Sequence, residues 1–200
     1  MRLRIPSLSL TIMLSTAPTF AATTPLEAVK GTVGGVLSAL RDPQLSSNRS
    51  QRRERIESAL RERFDFDEMA KRSLGPNWAR QSASDQKQFV RQFTELLIST
   101  YTDVIEQYQG EEIIYGAERR DGNQATVSTK IRDKKGVEHN LDYRLTQQGD
   151  DWKVYDVIVA DVSLVNNYRS QFSRVLNKSS FADLLQQLSS KKFQSPPGAS

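Results

Sequence analysis

Apolar residues recur at steps of three and four through the first half of the chain, which is the period of an amphipathic helix. The first such run stops before Asp42-Pro43, a predicted helix break, and comprises Leu26, Val29, Val33, Val36, Leu37 and Leu40. A basic segment at 52–63 and a short segment closed by Gly75-Pro76 predict two more helices. The first half of the chain is therefore predicted to be helical.

The longest apolar stripe begins after Ser82 or Ser84, either of which can cap a helix, and predicts a helix to about Gln109. At 1.5 Å per residue, such a helix is roughly 38 Å long. It is long enough to form one wall of a whole domain.

After Gly110 the apolar period becomes alternating, which is typical of strands. Turn signals separate four predicted strands, at about 111–119, 124–133, 137–147 and 151–161. The second and third strands each have one apolar and one polar face, so one side of the sheet should be dry. Two helices are predicted to follow, after Ser163 and Ser180. This order predicts an α+β fold, a four-stranded twisted antiparallel sheet wrapped on one face by several helices.

The fourth predicted strand does not alternate simply. Trp152 and Val154 point to one side, whereas Tyr155, Val157 and Val159 point to the other. Either a bulge switches the facing of the strand or both of its faces are covered.

The N-terminus has the pattern of a secretory signal peptide. A short basic start is followed by the apolar run Leu8–Leu14 and by small residues up to Ala21, after which we expect cleavage, with Ala22 as the alternative. We therefore expect a signal peptide at 1–21, a single domain at 22–194 and a disordered tail at 195–200. The apolar run is too short for a transmembrane helix.

Composition narrows the functional classes. The 200 residues carry a formal net charge of +4, which falls to +2 without Arg2 and Arg4, too little to indicate nucleic-acid binding. The absence of Cys excludes disulfides and thiolate metal sites, and the single His139 cannot form a typical zinc site, so we expect no metal and no cofactor. No Gly-x-Ser-x-Gly elbow occurs either.

Two residues are the candidates for acid–base chemistry, and both have a structural interpretation that we favour. His139 lies on the dry face of a predicted strand, as a packed core or rim histidine would. Asp156 lies among apolar residues and could be buried against Arg144 or Arg169 in an ion pair. We therefore expect no catalytic residues and no enzymatic activity.

Four stretches resemble the MlaC or toluene-tolerance family of periplasmic phospholipid-binding proteins. They are RFDFDEMAKRSLGPNW at 63–78, FTELLISTY at 93–101, DYRL at 142–145 and WKVYDVIVADVSLVNNYRSQF at 152–172. The likeness extends from about Leu26 to Phe193. Where the family has an acidic residue and a glycine before VSL, this chain has Ala160-Asp161. The backbone conformation at these two residues is therefore not predicted by the resemblance.

The resemblance implies a soluble periplasmic carrier of diacyl phospholipids that maintains outer-membrane lipid asymmetry. The implied partners are an outer-membrane lipoprotein–porin complex and an inner-membrane ABC transporter complex with its substrate-binding-like subunit. It also implies a sheet and helices that enclose an apolar lipid cavity, with bound phospholipid as cargo and no cofactor. We expect a monomer.

The resemblance and the dry faces together indicate a set of apolar and aromatic residues as walls of the lipid pocket. They are Phe93, Leu97, Tyr101, Val104, Val127, Leu141, Tyr143, Leu145, Val165, Tyr168 and Phe172. For each one, ordinary core packing is an equally good interpretation, because periodicity does not distinguish a filled core from a lined cavity. A group of arginines could face anionic headgroups or a partner, although a solvated helix face explains them equally simply: Arg52, Arg53, Arg55, Arg61 and Arg63.

Three alternatives stay open. A related carrier could hold another lipid, such as a hopanoid or a quinone-like molecule. An enzyme of the cone-shaped α+β type would place an acid and a base in a similar pocket. A protein-binding adaptor would have a filled core.

Overall fold

The computed structural model describes residues 23–194, and within them the chain forms seven α-helices and five strands. The predicted signal peptide at 1–21 and tail at 195–200 lie outside the described residues. The α-helices are α1 Pro25–Arg41, α2 Pro43–Ser46, α3 Arg49–Arg63, α4 Phe66–Leu74, α5 Ala83–Ile105, α6 Leu164–Leu176 and α7 Phe181–Ser189, with a 3-10 helix at Gly75–Arg80 after α4. The strands are β1 Glu112–Asp121, β2 Gln124–Arg132, β3 Glu138–Gln148, β4 Asp151–Val159 and β5 Val162–Ser163.

Serine side chains start the helices where the sequence predicts them. Ser82, Ser163 and Ser180 each accept a hydrogen bond from the backbone amide three residues ahead, which satisfies an otherwise unpaired donor of the first turn. The end of α5 differs from the prediction, because it stops at Ile105 and not near Gln109. Beyond it, the amides of Gln107 and Tyr108 bond to carbonyls three residues back and not four, so the last turn tightens and ends the helix.

The sheet is antiparallel throughout, with strand order β1-β2-β3-β4-β5. The predicted dry face is confirmed, since Val127 pairs with Tyr143 and Thr129 pairs with Leu141, all on one side. The predicted strand count of four is one too low. Val162 and Ser163 form the short fifth strand beside the end of β4.

The fifth strand follows a two-residue turn that the sequence pattern did not reveal. Ala160 and Asp161 have φ of +46° and +65°, and Val159 pairs with Val162 across them. Positive φ at both central residues is what a type I′ hairpin turn requires, and Asn or Gly usually supplies it. Because neither residue is present here, the prediction ran the fourth strand straight on to residue 161.

Strand β4 contains the bulge that its sequence suggested, and both of its faces are largely covered. Leu145 pairs with Val154 and Arg144 pairs with Asp156, so Tyr155 is the extra residue. Because of the bulge, Val154 and Val157 on either side of it face the same side of the sheet. Tyr155 itself is buried on the opposite side, where the Arg72 guanidinium lies 4.2 Å from its ring centroid.

The buried side chains form three clusters and not one continuous core. The helical core lies among α4, α5, α6 and α7 and includes Phe89, Phe93, Tyr168 and Phe172. The sheet core joins the dry face to α1, and the third cluster lies among α1, α2, α3 and α5. The three clusters leave a space between them.

Candidate functional site

A cavity of about 590 Å³ lies where the three clusters meet. Its lining is predominantly aliphatic and aromatic, and its volume lies in the range of ligand pockets. Three elements supply most of the wall: α1, α5 and the dry face of the sheet. Their apolar lining residues are Val29, Val33, Val36, Leu37 and Leu40 from α1, Leu97, Ile98, Tyr101, Val104 and Ile105 from α5, and Ile113, Ile131, Leu141, Tyr143, Val154, Val157 and Val159 from the sheet.

Helix α1 presents one face to the cavity because its apolar residues repeat at steps of three and four. Its start is fixed by Pro25 in the first turn and by a capping box, in which Thr24 and Glu27 each accept a hydrogen bond from the other's backbone amide. The Thr24 amide bond is the main reason that the pKa of Glu27 is lowered. The Leu26 amide also donates to the carboxylate of Glu118 on β1 at 2.8 Å, which ties α1 to the edge of the sheet.

Two tyrosines of the sheet form part of the apolar surroundings. Burial raises the pKa of Tyr143 far above its usual range, with a smaller contribution from nearby Tyr115. Burial also raises the pKa of Tyr115. Both phenols are therefore neutral at any physiological pH. Tyr143, which lines the cavity, presents a neutral aromatic ring to whatever fills it.

Arg63 is the one arginine or lysine on the cavity lining, and its charge is satisfied by the protein. Its guanidinium donates to Asp151 at 2.6 Å, to the backbone carbonyl of Trp152 and to the Thr32 hydroxyl at 3.1 Å. It fastens the end of α3 to β4 and α1. The guanidinium thus links three elements at the wall of the cavity.

The polar end of the lining forms the mouth of the cavity, where α5 has ended and β1, β2 and β3 begin or end. The mouth residues are Gln107, Tyr108, Glu111, Asp133 and His139, and Gln107 and His139 are exposed. His139 is thus a rim residue, in agreement with the favoured interpretation. The Tyr108 hydroxyl donates to the Glu111 carbonyl at 2.8 Å and accepts from Arg41 at 3.1 Å, so a guanidinium lies beside the opening.

The structure divides the predicted pocket residues into two groups. Those on the cavity wall are Leu97, Tyr101, Val104, Leu141 and Tyr143. Those away from it, inside packed cores, are Phe93, Val165, Tyr168 and Phe172 in the helical core and Val127 and Leu145 in the sheet core. Ring contacts fill the helical core: the Phe93 ring lies edge-on to those of Tyr168 and Phe172, with centroids 5.2 and 5.4 Å away.

The prediction of pocket residues did not include the α1 face or the β4 residues. The apolar period of helix α1 is clear in the sequence and predicted the helix. It did not predict that this helix forms a wall of the cavity. In β4, the bulge at Tyr155 hid the common facing of Val154 and Val157. A bulge-corrected alternation would have indicated these two positions.

The predicted basic residues of α3 and its end all have carboxylate partners in the structure. Arg52 and Arg53 contact Glu106, Arg55 lies 3.6 Å from Asp42, and Arg61 contacts Glu95 at 2.8 Å, while Arg63 contacts Asp151. They bind helices to their neighbours. None of the five is a free cation held ready for a headgroup.

The candidate acid Asp156 has a structural role in the fold. Asp156, the candidate acid, is 3 % exposed and accepts bonds from Arg144 at 3.2 Å, the Ser163 hydroxyl at 2.7 Å and the Val165 amide at 3.1 Å. It therefore anchors the start of α6 to the sheet, and of the two predicted ion-pair partners, Arg144 and Arg169, the structure confirms Arg144.

Within residues 23–194, no group of three or more His, Asp or Glu side chains is arranged to hold a metal ion. No helix in this range is both long and apolar enough to cross a membrane.

Comparisons with known proteins agree with this geometry. A family model described as MlaC protein matches residues 30–190. Toluene tolerance protein ttg2D of Pseudomonas putida is 27% identical over 175 residues, which cover 84% of this chain and 81% of the relative. The intermembrane phospholipid transport system binding protein MlaC of Haemophilus influenzae is 26% identical over 126 residues, or 60% of this chain and 59% of that protein.

A solved structure shares the fold. The phospholipid-binding protein from Ralstonia solanacearum, in complex with a phospholipid, matches with a TM-score of 0.75 and 25% sequence identity. The match covers 84% of this chain and 97% of that one.

Proposed function

This chain belongs to the MlaC protein family, and from that premise we propose that it is a phospholipid carrier that holds acyl chains in the cavity between α1, α5 and the sheet. The observation that carries the proposal is the apolar cavity of about 590 Å³ in a fold that, in a relative, holds a phospholipid. The polar mouth supports a headgroup that stays in contact with water while the chains lie inside.

Energetics explain why a carrier needs such an interior. Moving an acyl chain into water costs about 0.8 kcal/mol per CH₂, so two chains of about fifteen carbons cost on the order of 24 kcal/mol. A dry cavity removes most of that cost, because the chains exchange one apolar environment for another. Transfer between membrane and carrier is then close to neutral, and the direction of transport comes from the partners.

The setting that we propose follows from family membership. A signal peptide at 1–21 would export the chain to the periplasm, where residues 22–194 act as a single lipid-binding domain and as a monomer. We propose that the domain exchanges phospholipid with an outer-membrane lipoprotein–porin complex and with an inner-membrane ABC transporter through its substrate-binding-like subunit. No catalytic step is part of this cycle, which consists of binding and release.

The first test is native mass spectrometry of the protein purified from its own periplasm, followed by organic extraction and lipid identification. We expect phospholipid at a fixed stoichiometry. Extraction of a hopanoid or quinone-like molecule would show that the protein carries a different lipid. A clean apo mass with no uptake from liposomes would contradict the proposed carrier function.

A second test separates cavity walls from packed core within the predicted site residues. Leu141→Trp adds volume on the cavity wall, so we expect lower lipid occupancy. After delipidation, its unfolding midpoint should be at or above that of delipidated wild type. Val127→Trp is the matched control on the neighbouring strand, where the side chain is fully buried in a filled core. Overpacking there should lower the free energy of unfolding by about 1–3 kcal/mol.

If Leu141→Trp kept full lipid occupancy, the cavity would not be the lipid site. Equal destabilisation by both substitutions would show that the cavity closes in solution. Native mass spectrometry of the purified samples gives lipid occupancy, and urea denaturation of the delipidated samples gives stability.

A further inference from the structure

The turn between β2 and β3 lies beside the cavity mouth and is unusually exposed. We call residues Asp133, Lys134, Lys135, Gly136 and Val137 the hairpin tip. The first of them and His139, just beyond the tip, both line the cavity, so the tip borders the opening. Among the described residues, Val137 is the large hydrophobic side chain that the fold leaves exposed, at 50 %. An apolar side chain at the rim of a cavity is a feature that the carrier function alone does not require.

Hydrogen bonds hold the hairpin tip in one shape. The Gly136 amide donates to the Asp133 carbonyl at 3.0 Å, and the Asp133 amide donates to the Val137 carbonyl at 3.0 Å. The carboxylate of Asp133 also accepts from the amides of Val137 and Lys135 at 2.9 and 2.8 Å, and these bonds lower the pKa of Asp133. Gly136 supplies the φ of +84° that the turn needs. The tip is therefore preformed and loses little freedom when it docks.

The hairpin tip has a net positive charge, because it contains two lysines and one aspartate. Lys130 and Arg132, on the strand below, are both engaged by Glu138 at 2.6 and 2.7 Å. Lys134 and Lys135 are exposed, and no carboxylate of the described residues lies within ion-pair distance of either. Two exposed cations and one exposed apolar side chain thus lie within four consecutive residues next to the opening.

We propose that the hairpin tip docks the protein on anionic phospholipid bilayers, with the cavity mouth facing the lipid surface. Lysines are attracted to the negative surface potential, and a single valine inserts to the depth of the headgroups. Each lysine near such a surface strengthens partitioning about five- to sixfold, so the pair contributes about thirtyfold. This is enough for a transient encounter and too little for a permanent anchor, as a shuttling protein needs.

The inference rests on the proposed carrier function for its purpose, but vesicle binding is measured independently of cargo. The experiment is co-sedimentation of the exported protein with vesicles of phosphatidylglycerol and phosphatidylcholine, compared with vesicles of phosphatidylcholine alone. We expect preferential binding to the anionic vesicles at low salt and its loss at 1 M salt, where screening shortens to roughly 3 Å. Lys134→Gln with Lys135→Gln should weaken that binding about thirtyfold.

The matched control is Lys191→Gln with Lys192→Gln, an exposed pair after α7 that does not line the cavity. It removes the same charge, so the control should keep most of the vesicle binding if the tip is the docking surface. Equal loss from both double variants, or no preference of the wild type for anionic vesicles, would overturn the proposal. The latter result would leave a protein partner as the occupant of the tip.

A reporter at Val137 tests insertion directly. Val137→Trp places an indole on an exposed site of a preformed turn, and its emission should shift to the blue when anionic vesicles are added. An unchanged spectrum under conditions where the protein co-sediments would place the contact elsewhere. Native mass spectrometry of the tip variants should show wild-type lipid occupancy, which distinguishes a failed docking surface from a failed carrier.

Discussion

Gly75 ends α4 with a backbone conformation that suits glycine alone. Its φ and ψ are +54° and −129°, and a Cβ added there would lie 2.7 Å from Nε of Arg169. The arginine end can move, so the backbone strain decides the outcome. We predict that Gly75→Ala lowers the free energy of unfolding by about 2 kcal/mol, measured by urea denaturation.

Gly34 provides the control for that substitution. It lies inside α1 with no atom within 4 Å of an added Cβ, so alanine brings only its better helix propensity. Gly34→Ala should raise the free energy of unfolding by up to about 1 kcal/mol. If the two substitutions changed stability in the same direction, the conformational argument would fail.

Ala160 and Asp161 carry avoidable backbone strain in the turn before β5. A left-handed conformation costs an alanine about 1–2 kcal/mol, whereas Asn and Gly adopt it readily. Ala160→Asn with Asp161→Gly should therefore raise the free energy of unfolding by about 1–2 kcal/mol. For a chain of this length, that is a rise of roughly 2–8 °C in the thermal midpoint, which calorimetry can detect.

The single substitutions assign the gain within the turn. Ala160→Asn should contribute the larger part, because aspartate already tolerates the left-handed region better than alanine does. A lower midpoint for the double variant would show that the turn is not of type I′.

At the scale of elements, Glu106 fastens α5 to α3. Its side chain is only 6 % exposed and contacts Arg49 and Arg53 at 2.9 Å and Arg52 at 3.4 Å. Burial alone would raise the pKa of Glu106, but the hydrogen bonds from Arg49 and Arg53 outweigh it, and the pKa is lowered. The carboxylate is therefore ionised throughout the neutral range and joins the two helices that form opposite sides of the third cluster.

The lowered pKa of Glu106 predicts a pH dependence of stability. A carboxylate with a depressed pKa in the fold stabilises the fold above its ordinary pKa of 4.5, and that contribution is lost as the pH falls through the folded value. Glu106→Gln should cost about 2 kcal/mol at pH 7, because partly buried arginines lose their partner. The difference from the wild type should shrink toward pH 3 in urea denaturation series.

Glu95→Gln is the control for that series. Glu95 is 62 % exposed and contacts Arg61 alone, so its loss should change stability by less than about 1 kcal/mol at any pH. A cost equal to that of Glu106→Gln, or a Glu106→Gln deficit that persists undiminished at pH 3, would contradict the role of Glu106 as the fastening between helices.

Elements were more predictable than the site because the two depend on different information. The period of apolar residues reports which face of a helix or strand points inward, and it placed α1, α5 and the dry face of the sheet correctly. It does not report whether the interior is filled. Leu97 lines the cavity and Phe93, one turn earlier, does not, although both belong to the same stripe of α5.

The difference between these two neighbours arises at the scale of the whole molecule. Aromatic rings from α6 reach Phe93 and fill the space around it, whereas Leu97, which also belongs to the helical core, lines the cavity. How far such elements stand apart depends on the crossing of helices over a twisted sheet, which no local pattern encodes. The resemblance to a family supplied the expectation of a cavity, and the structure supplied its position.

The arrangement of three clusters around a cavity also predicts how stability depends on cargo. An empty apolar cavity leaves its lining without contacts on one side, and those contacts return when acyl chains fill it. A ligand that binds only the folded state stabilises it by about 2.7 kcal/mol at a hundred times its dissociation constant. We therefore expect delipidated protein to unfold about 5–10 °C below protein reloaded with phospholipid, as measured by calorimetry. Leu141→Trp is the control, since a variant with a narrower cavity should show a smaller difference between the delipidated and reloaded midpoints. Equal midpoints for delipidated and reloaded wild type would mean that phospholipid does not bind the folded state, which would contradict the carrier function.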